Sequence, residues 1–198
     1  MKQVIIATKN KGKAKDFEAI FHPFGFEVLT LHDVADDMDV EETGTTFEEN
    51  AILKAEALAE RLQTFVIADD SGLAIDALDG APGVYSARYA GMDKSDEANM
   101  EKVLSELAHV PDEKRTARFC CAIALAGPNM ETRTAFGTCE GVIAHERKGT
   151  NGFGYDPIFY VPTLGKMMAE LQPSEKAAIS HRGNAIKQIE TELPNLLK

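Results

Sequence analysis

The chain has 198 residues, of which 44% are hydrophobic and 27% are charged, and its formal net charge is −11. This length suits one large α/β domain or two small lobes that share a sheet. The negative charge argues against nucleic acid or an anionic membrane surface as a partner, and no apolar run approaches the ~20 residues of a membrane span. Residues 1–7 are too short and too soon polar for a signal peptide. Because the three cysteines form no Cys-x-x-Cys pair, we expect a reducing, cytoplasmic compartment.

The N-terminal segment predicts a strand, a basic loop and a helix. Residues 3–7 are rich in β-branched side chains, as in a buried strand. The loop that follows consists of Thr8, Lys9, Asn10, Lys11, Gly12 and Lys13. It leads into a helical pattern with one apolar face, formed by Ala14, Phe17, Ile20 and Phe21. Backbone N–H groups at a helix start attract anions and lysines add positive charge, so we predict a phosphate site rather than a merely solvated helix start.

An acidic loop lies between the second predicted strand, over residues 26–30, and the next helix. That helix is predicted over residues 46–62, because it begins with a capping box. Glu41 and Glu42 precede it, and solvation or complementarity to the helix dipole would explain them when they are considered alone. Lys54, near the middle of the helix, is by default a surface lysine.

The central stretch begins with an apolar run over residues 65–68, which predicts a buried strand. The run ends on Asp69, Asp70, Ser71 and Gly72. Ligands of α/β proteins bind at the carboxyl ends of strands, and successive strand side chains point to opposite faces. We therefore expect one carboxylate to face a cleft while the other braces the loop, and the glycine to permit a sharp turn. The alternative is a polar turn without a functional role.

The C-terminal half predicts a helix over about 95–109 and two long strands, over 116–126 and 131–145, joined as a hairpin. The earlier strands alternate with helices, which is typical of parallel pairing. Antiparallel strands after such elements suggest a mixed sheet.

Two further stretches carry polar residues beside turns or helices. Phe153 lies in the run of residues 152–156, where it can stack on a nucleobase, although a ring tucked into the core explains the run alone more simply. His181 and Arg182 precede a helix predicted over about 183–195, and such a pair is usually solvated.

The basic loop, the carboxylates and the aromatic together predict a site for a nucleoside triphosphate with a divalent metal. Mg²⁺ is the hard ion that bridges carboxylates and phosphate oxygens.

Six motifs extend over nearly the whole chain. They are Thr8-x-Asn10-x-x-Lys13, Glu41-Glu42-Thr43-Gly44-x-Thr46-Phe47-x-Glu49-Asn50-Ala51, Ala68-Asp69-Asp70-Ser71-Gly72-Leu73, Gly80-Ala81-Pro82-Gly83-Val84-Tyr85-Ser86-Ala87-Arg88, Gly152-Phe153-Gly154-Tyr155-Asp156-Pro157 and Lys176-x-x-x-x-His181-Arg182-Gly183. In this order they resemble the motifs of the inosine triphosphate pyrophosphatase family.

The resemblance implies a single two-lobed α/β domain over residues 1–198, with an elongated mixed sheet flanked by helices and an active-site cleft between the lobes. It implies a homodimer, whereas the expectation of no nucleic acid and no membrane as partner rests on the charge and on the lack of an apolar span. It also implies hydrolysis of ITP, dITP and XTP to the monophosphate and pyrophosphate, with Mg²⁺ as cofactor and Mn²⁺ as a substitute, which would cleanse the nucleotide pool. Two alternatives stay open: a non-catalytic nucleotide-binding sensor, and a pyrophosphatase for modified pyrimidine nucleotides.

The same resemblance implies roles for individual residues. Asp70 resembles the family's proton acceptor and, with Glu41, a metal ligand. Residues 8–13 resemble the triphosphate loop, whose lysines are candidates to stabilise the leaving pyrophosphate, Lys13 foremost. The other substrate contacts that the resemblance implies are Ser71, Phe153, Gly154, Tyr155, Asp156, Lys176, His181 and Arg182.

Overall fold

The computed structural model describes residues 2–34, 38–191 and 193, without the side chain of Lys2. Its strands are β1 (Lys2–Ile6), β2 (Phe26–Thr30), β3 (Val66–Ile75), β4 (Thr116–Ala126), β5 (Arg133–Ile143), β6 (Phe159–Val161) and β7 (Lys166–Met167). Its α-helices are α1 (Lys11–Phe21), α2 (Phe47–Leu62), α3 (Asp96–Glu106), α4 (Pro173–Ile179) and α5 (His181–Ile189). Across these residues, every helix is too short or too polar to cross a membrane.

The strands form one sheet in the order β2-β1-β3-β4-β5-β6-β7. β1 runs parallel to β2 and β3, whereas each neighbouring pair from β3 to β7 is antiparallel. This arrangement confirms the predicted mixed sheet flanked by helices and the predicted hairpin of β4 and β5. The division into two lobes and the single domain over residues 1–198 stay predictions.

Helices cover both faces of the sheet. On one face, α1 and α5 pack against β1, β3 and β4, and α1 buries the four residues that its periodicity predicts. On the other face, α2 packs through small side chains, Ala51, Ala55 and Ala59, against Val66, Ala68 and Ala124. Because these side chains are small, α2 lies close to the sheet, and polar residues on the same helix face reach β3.

β3 is longer than predicted and corrects the expectation of a strand that ends at the carboxylates. Asp69 and Asp70 lie in its middle, where they pair with Ile123 and Ala122 of β4. In the described part of the chain, only the last two residues of β1 pair with β3. The carboxylates of β3 therefore lie just beyond the point where the neighbouring strand β1 ends, and not at the end of β3 itself. A strand with a paired antiparallel neighbour tolerates polar residues that would otherwise suggest a turn.

Gly72 is required for close packing rather than for a sharp turn. A Cβ atom there would lie 2.5 Å from Ser86 Oγ and closer still to the Gly83 carbonyl oxygen. Ser86 Oγ accepts a hydrogen bond from Leu73 N at 2.8 Å and donates one to the Gly83 carbonyl at 2.6 Å. The glycine therefore lets the segment after β3 fold back onto the strand.

α5 differs from its prediction at both ends. It begins at His181, with Ser180 as N-cap, so His181 and Arg182 lie in its first turn rather than before it. It ends at Ile189 instead of near residue 195. Residues 192 and 194–195 of the predicted helix lie outside the described residues.

Candidate active site

A cavity of about 600 Å³ opens beside the end of β1 and the middle of β3. It is lined by nearly all of the predicted site residues, namely Thr8, Lys9, Asn10, Lys13, Glu41, Asp70, Ser71, Phe153, Gly154, Tyr155, Asp156, Lys176, His181 and Arg182. Lys11 and Gly12 lie outside the set of described residues that line it. Segments separated by more than a hundred residues thus converge on one concave site.

The loop after β1 is shaped by its own side chains. Asn10 is the N-cap of α1, and its Oδ1 accepts a hydrogen bond from Lys13 N at 3.0 Å. Thr8 Oγ1 accepts one from Asn10 N at 3.1 Å. These bonds fix the helix start, from which Lys9 and Lys13 reach the cavity.

Gly12 contributes through packing. A Cβ atom at this position would lie 2.5 Å from Cγ of Phe153. The half-buried Phe153 ring therefore rests on the first turn of α1, with Lys176 Nζ 4.9 Å and Arg182 Cζ 5.5 Å from its centroid. The ring both packs and lines the cavity, so it combines the two roles that the sequence left open.

Asp70 faces the cavity and is held at both carboxylate oxygens. Its Oδ2 accepts a hydrogen bond from Asn50 Nδ2 at 2.9 Å, and its Oδ1 accepts one from Ser71 N at 3.0 Å. Burial raises the pKa of Asp70 above its ordinary value, although Lys54 and the bond from Asn50 act in the opposite direction. A carboxylate that is fixed in orientation and more basic than usual suits proton acceptance.

Asp69 points away from the cavity and is 1% exposed. Its carboxylate oxygens lie 3.2 and 3.1 Å from Lys13 Nζ and accept hydrogen bonds from Nε and one terminal nitrogen of Arg182 at 3.3 and 3.2 Å. Burial alone would raise the pKa of Asp69, but Lys13, Arg182 and Lys54 hold it well below its usual range. The expectation that the adjacent carboxylates point to opposite sides of the strand is confirmed, with Asp69 bracing the side chains of Lys13 and Arg182 rather than a loop backbone, while their separate roles stay a prediction.

We expect Asp69→Asn to lower the free energy of unfolding by about 3–5 kcal/mol, because a neutral amide would remove the buried counter-ion that Lys13 and Arg182 share and would leave Arg182 paired with Asp16 alone. A lowered native pKa gives stability that is present above the unfolded pKa of about 3.9 and is lost as the pH falls further. Urea denaturation should therefore show a large difference in the free energy of unfolding between wild type and variant at about pH 7, and a smaller difference at about pH 3. A gap of equal size at both pH values would contradict this.

Lys54 is not the surface lysine that the sequence suggests. Its Nζ donates hydrogen bonds to Glu42 Oε1 and to the Asp69 carbonyl oxygen, both at 2.6 Å. Burial alone would raise the pKa of Glu42, but Lys54 lowers it below its ordinary value. Lys54 thereby ties the acidic loop to β3 and places a positive charge at the cavity wall.

The carboxylates of the cavity are candidate ligands for Mg²⁺. Among the described residues, no group of three or more His, Cys, Asp or Glu side chains is arranged to hold a metal ion. Glu41, Glu42 and Asp70 nevertheless line the same cavity as the lysines. Mg²⁺ is usually held by one or two carboxylates together with substrate phosphates, so these all-oxygen donors fit Mg²⁺ bound with a polyphosphate. The donors do not suit zinc.

The His181–Arg182 pair is buried, which corrects the expectation of a solvated pair. Arg182 uses all of its N–H groups: it donates to Asp69 as described, to Ser71 Oγ at 2.6 Å, to Asp16 Oδ2 at 3.1 Å and toward His181 Nε2 at 3.2 Å. These bonds engage all five of its donors, and a direct contact between Arg182 and substrate stays a prediction. Arg182 is thus the centre of a network that joins α1, β3 and α5.

His181 lines the cavity, and one nitrogen of its ring is a buried hydrogen-bond donor. Burial, followed by the charges of Arg182 and Lys176, lowers the pKa of His181 well below its ordinary value, so the ring is neutral. Arginine can only donate, so Nε2 is the acceptor and the ring proton lies on Nδ1. Among the described residues, this buried Nδ1 has no hydrogen-bond partner.

Asp156 and Asp16 hold the side chain of Lys176. Lys176 Nζ lies 2.8 Å from Asp156 Oδ2 and 3.1 Å from Asp16 Oδ2. Asp156 also accepts a hydrogen bond from Phe153 N at 3.1 Å, which closes the loop around it. Asp16 was not predicted as a site residue, although an acidic residue one helical turn after Lys13 is a visible signal.

The chain was compared with known proteins. Residues 4–192 match the Ham1 family. A dITP/XTP pyrophosphatase from Bacillus cereus is 57% identical over 196 residues, covering 98% of this chain and 96% of the relative. A dITP/XTP pyrophosphatase from Halalkalibacterium halodurans is 60% identical over 190 residues, which cover 96% of this chain and 98% of the relative. The solved structure of the Staphylococcus aureus Ham1 protein is 53% identical, with a TM-score of 0.84, and the match covers 98% of this chain and 99% of that protein. These matches confirm the resemblance carried by the six motifs and show that the chain belongs to the Ham1 family.

Proposed function

We propose that the protein hydrolyses dITP, XTP and ITP to the nucleoside monophosphate and pyrophosphate. The observation that carries the proposal is the cavity itself, which Lys9 and Lys13 of the loop after β1 line together with Glu41 and Asp70. The name dITP/XTP pyrophosphatase, shared by relatives that align over nearly the whole chain, supports the same activity.

The side chains divide the work of phosphoryl transfer. Lys9 and Lys13 bind the phosphates and neutralise the charge that grows on the leaving pyrophosphate. Asp70 orients the attacking water and accepts its proton, and its bonds to Asn50 and Ser71 fix the carboxylate for that task. Glu41 and Asp70 would hold Mg²⁺, which when bound neutralises phosphate charge and acts as a Lewis acid.

Base selection follows from the protonation of His181. Its Nδ1–H is a donor without a partner among the described residues, and the 6-keto oxygen of hypoxanthine or xanthine is an acceptor. Adenine carries a 6-amino donor at that position, so a donor would meet a donor. Leaving a buried donor unpaired costs free energy, and a site built on such a bond can reject the analogue by ~10²-fold or more.

The experiment that tests the function is a nucleotide panel. Purified protein is incubated with Mg²⁺ and with ITP, dITP, XTP, ATP, GTP or modified pyrimidine triphosphates, and the phosphate product is identified. Pyrophosphate released from ITP, dITP and XTP, in preference to ATP and GTP, is the expected result. Binding without pyrophosphate release would favour a sensor, and turnover confined to pyrimidines would favour the other alternative.

Turnover is expected to require Mg²⁺, with Mn²⁺ as a partial substitute and Ca²⁺ poor or inhibitory. The donors are all oxygen, and Ca²⁺ prefers longer bonds and looser geometry than Mg²⁺. Pyrophosphate release should stop in excess EDTA and return when Mg²⁺ is added back. Full activity in EDTA would contradict the metal requirement.

The homodimer and the cytoplasmic location also belong to the proposal. The resemblance to the family supports the first, and the reduced state of the buried cysteines, Cys120, Cys121 and Cys139, is compatible with the second. Light scattering of the eluted protein, which measures its mass in solution, tests the dimer directly.

A further inference from the structure

Asn50 is a buried side chain that joins two parts of the candidate site. It lies in the first turns of α2 and is 1% exposed. Its Nδ2 donates to Asp70 Oδ2 at 2.9 Å, and its Oδ1 accepts from Gly44 N at 2.7 Å. The orientation of the amide follows from these partners, because a carboxylate oxygen can accept and a backbone N–H can only donate.

The bond to Gly44 fixes the acidic loop. A Cβ atom at Gly44 would lie 2.6 Å from Asn50 Oδ1 and 3.0 Å from Asn50 N, so only glycine lets the loop approach this closely. Glu41 and Glu42 lie directly before this contact in the sequence and line the cavity. The bridge through Asn50 therefore joins the backbone of this loop to β3, beside the side-chain tie that Lys54 makes between Glu42 and the Asp69 carbonyl.

We infer that Asn50 is a positioning residue that sets the distance between Asp70 and the loop carrying Glu41. It lies outside the set of described residues that line the cavity, so it acts through Asp70 and Gly44 rather than on substrate. The inference rests on the proposed function, because the reaction needs the two carboxylates at one point. A buried amide that only stabilised the fold would not have to couple these two groups.

The first test is Asn50→Asp, which keeps the acceptor for Gly44 N but replaces the donor to Asp70 with a second carboxylate. We expect kcat for ITP to fall about 10²-fold while KM changes less than about threefold, since misplaced catalytic groups slow chemistry more than binding. Thr45→Val is the matched control, because it removes a hydroxyl that bonds Glu49 in the same loop and leaves the bridge intact. Its kcat should match wild type.

Exchanging the two side chains between positions 50 and 70 distinguishes an effect on catalytic positioning from an effect on folding. In the double variant Asn50→Asp/Asp70→Asn the donor and acceptor are exchanged, so the hydrogen bond re-forms. The Tm lost in Asn50→Asp should be recovered in the double variant, while kcat should not recover, because the carboxylate is on the wrong residue. Should Asn50→Asp fail to fold, Gly44→Ala tests the same bridge from the exposed loop, with the same fall in kcat.

The outcomes are distinguishable. If wild type releases no pyrophosphate from any nucleotide, the proposed function fails and this inference fails with it. If wild type is active but Asn50→Asp and Gly44→Ala keep kcat within threefold of wild type, the inference alone is overturned. A swap that does not recover Tm would also overturn it, because the bond would then not couple the two residues.

Discussion

Asp70→Asn is expected to keep the fold and to lower turnover of ITP by about 10²–10⁴-fold, the usual cost of removing a general base. Loss of a metal ligand would add to this. The amide has the same shape as the carboxylate, but its single oxygen can accept only one of the two bonds, from Asn50 or from Ser71 N. The fold should survive the loss of one bond, with a modest fall in Tm.

The measurement is single-turnover pyrophosphate release at saturating ITP, with nucleotide affinity measured separately by calorimetry. Glu140→Gln is the matched control, because that carboxylate is exposed and pairs with Arg118 far from the cavity. The control should turn over like wild type. Turnover by Asp70→Asn within a few-fold of wild type would remove Asp70 from the role of base.

Local patterns predicted the elements whose stability is local. The apolar face of α1, the capping box at Thr46 and the β4–β5 hairpin all depend on residues close in sequence, and each is confirmed. A capping box is a set of bonds between residues three apart, and a helical face repeats at a fixed period. Such features need no knowledge of the rest of the chain.

The course of β3 could not be predicted in this way, because its polar residues are satisfied from elsewhere. Asp69 is buried in mid-strand only because Lys13 and Arg182 neutralise it, and Arg182 is 113 positions away. A sequence pattern shows the charge but not its partner. The default expectation for such a stretch is therefore a polar turn.

The burial of the basic residues has the same origin. Lys54, Lys176 and Arg182 would each be exposed on an isolated helix, yet each meets a carboxylate or carbonyl from a distant segment. The partners of Arg182 hold its guanidinium in a network that joins α1, β3 and α5. Most of the residues that the sequence singled out line the cavity, Lys11 and Gly12 excepted, but a sequence pattern does not show which of their polar groups already have partners within the protein.

His181→Ala is expected to lower kcat/KM for ITP by about 10²-fold and to leave kcat/KM for ATP nearly unchanged. The variant removes the donor that would be satisfied by a 6-keto oxygen and opposed by a 6-amino group. The ratio of kcat/KM for ITP to kcat/KM for ATP should therefore fall by the same factor. His145→Ala is the control, because His145 is exposed and bonds Asp112 away from the cavity, and its ratio should equal that of wild type.

Arg182 affects base choice only through His181 on this account. Its donation toward Nε2 keeps the ring proton on Nδ1, so Arg182→Lys should free the ring to change tautomer and should narrow the ratio, while the retained charge still pairs with Asp69. The double variant His181→Ala/Arg182→Lys should then show the same ratio as His181→Ala alone, since interacting sites are not additive. Steady-state kinetics of the three variants on ITP and ATP measures this cycle. A ratio that narrows further in the double variant would mean that Arg182 contacts the base itself, and the tautomer mechanism would be wrong.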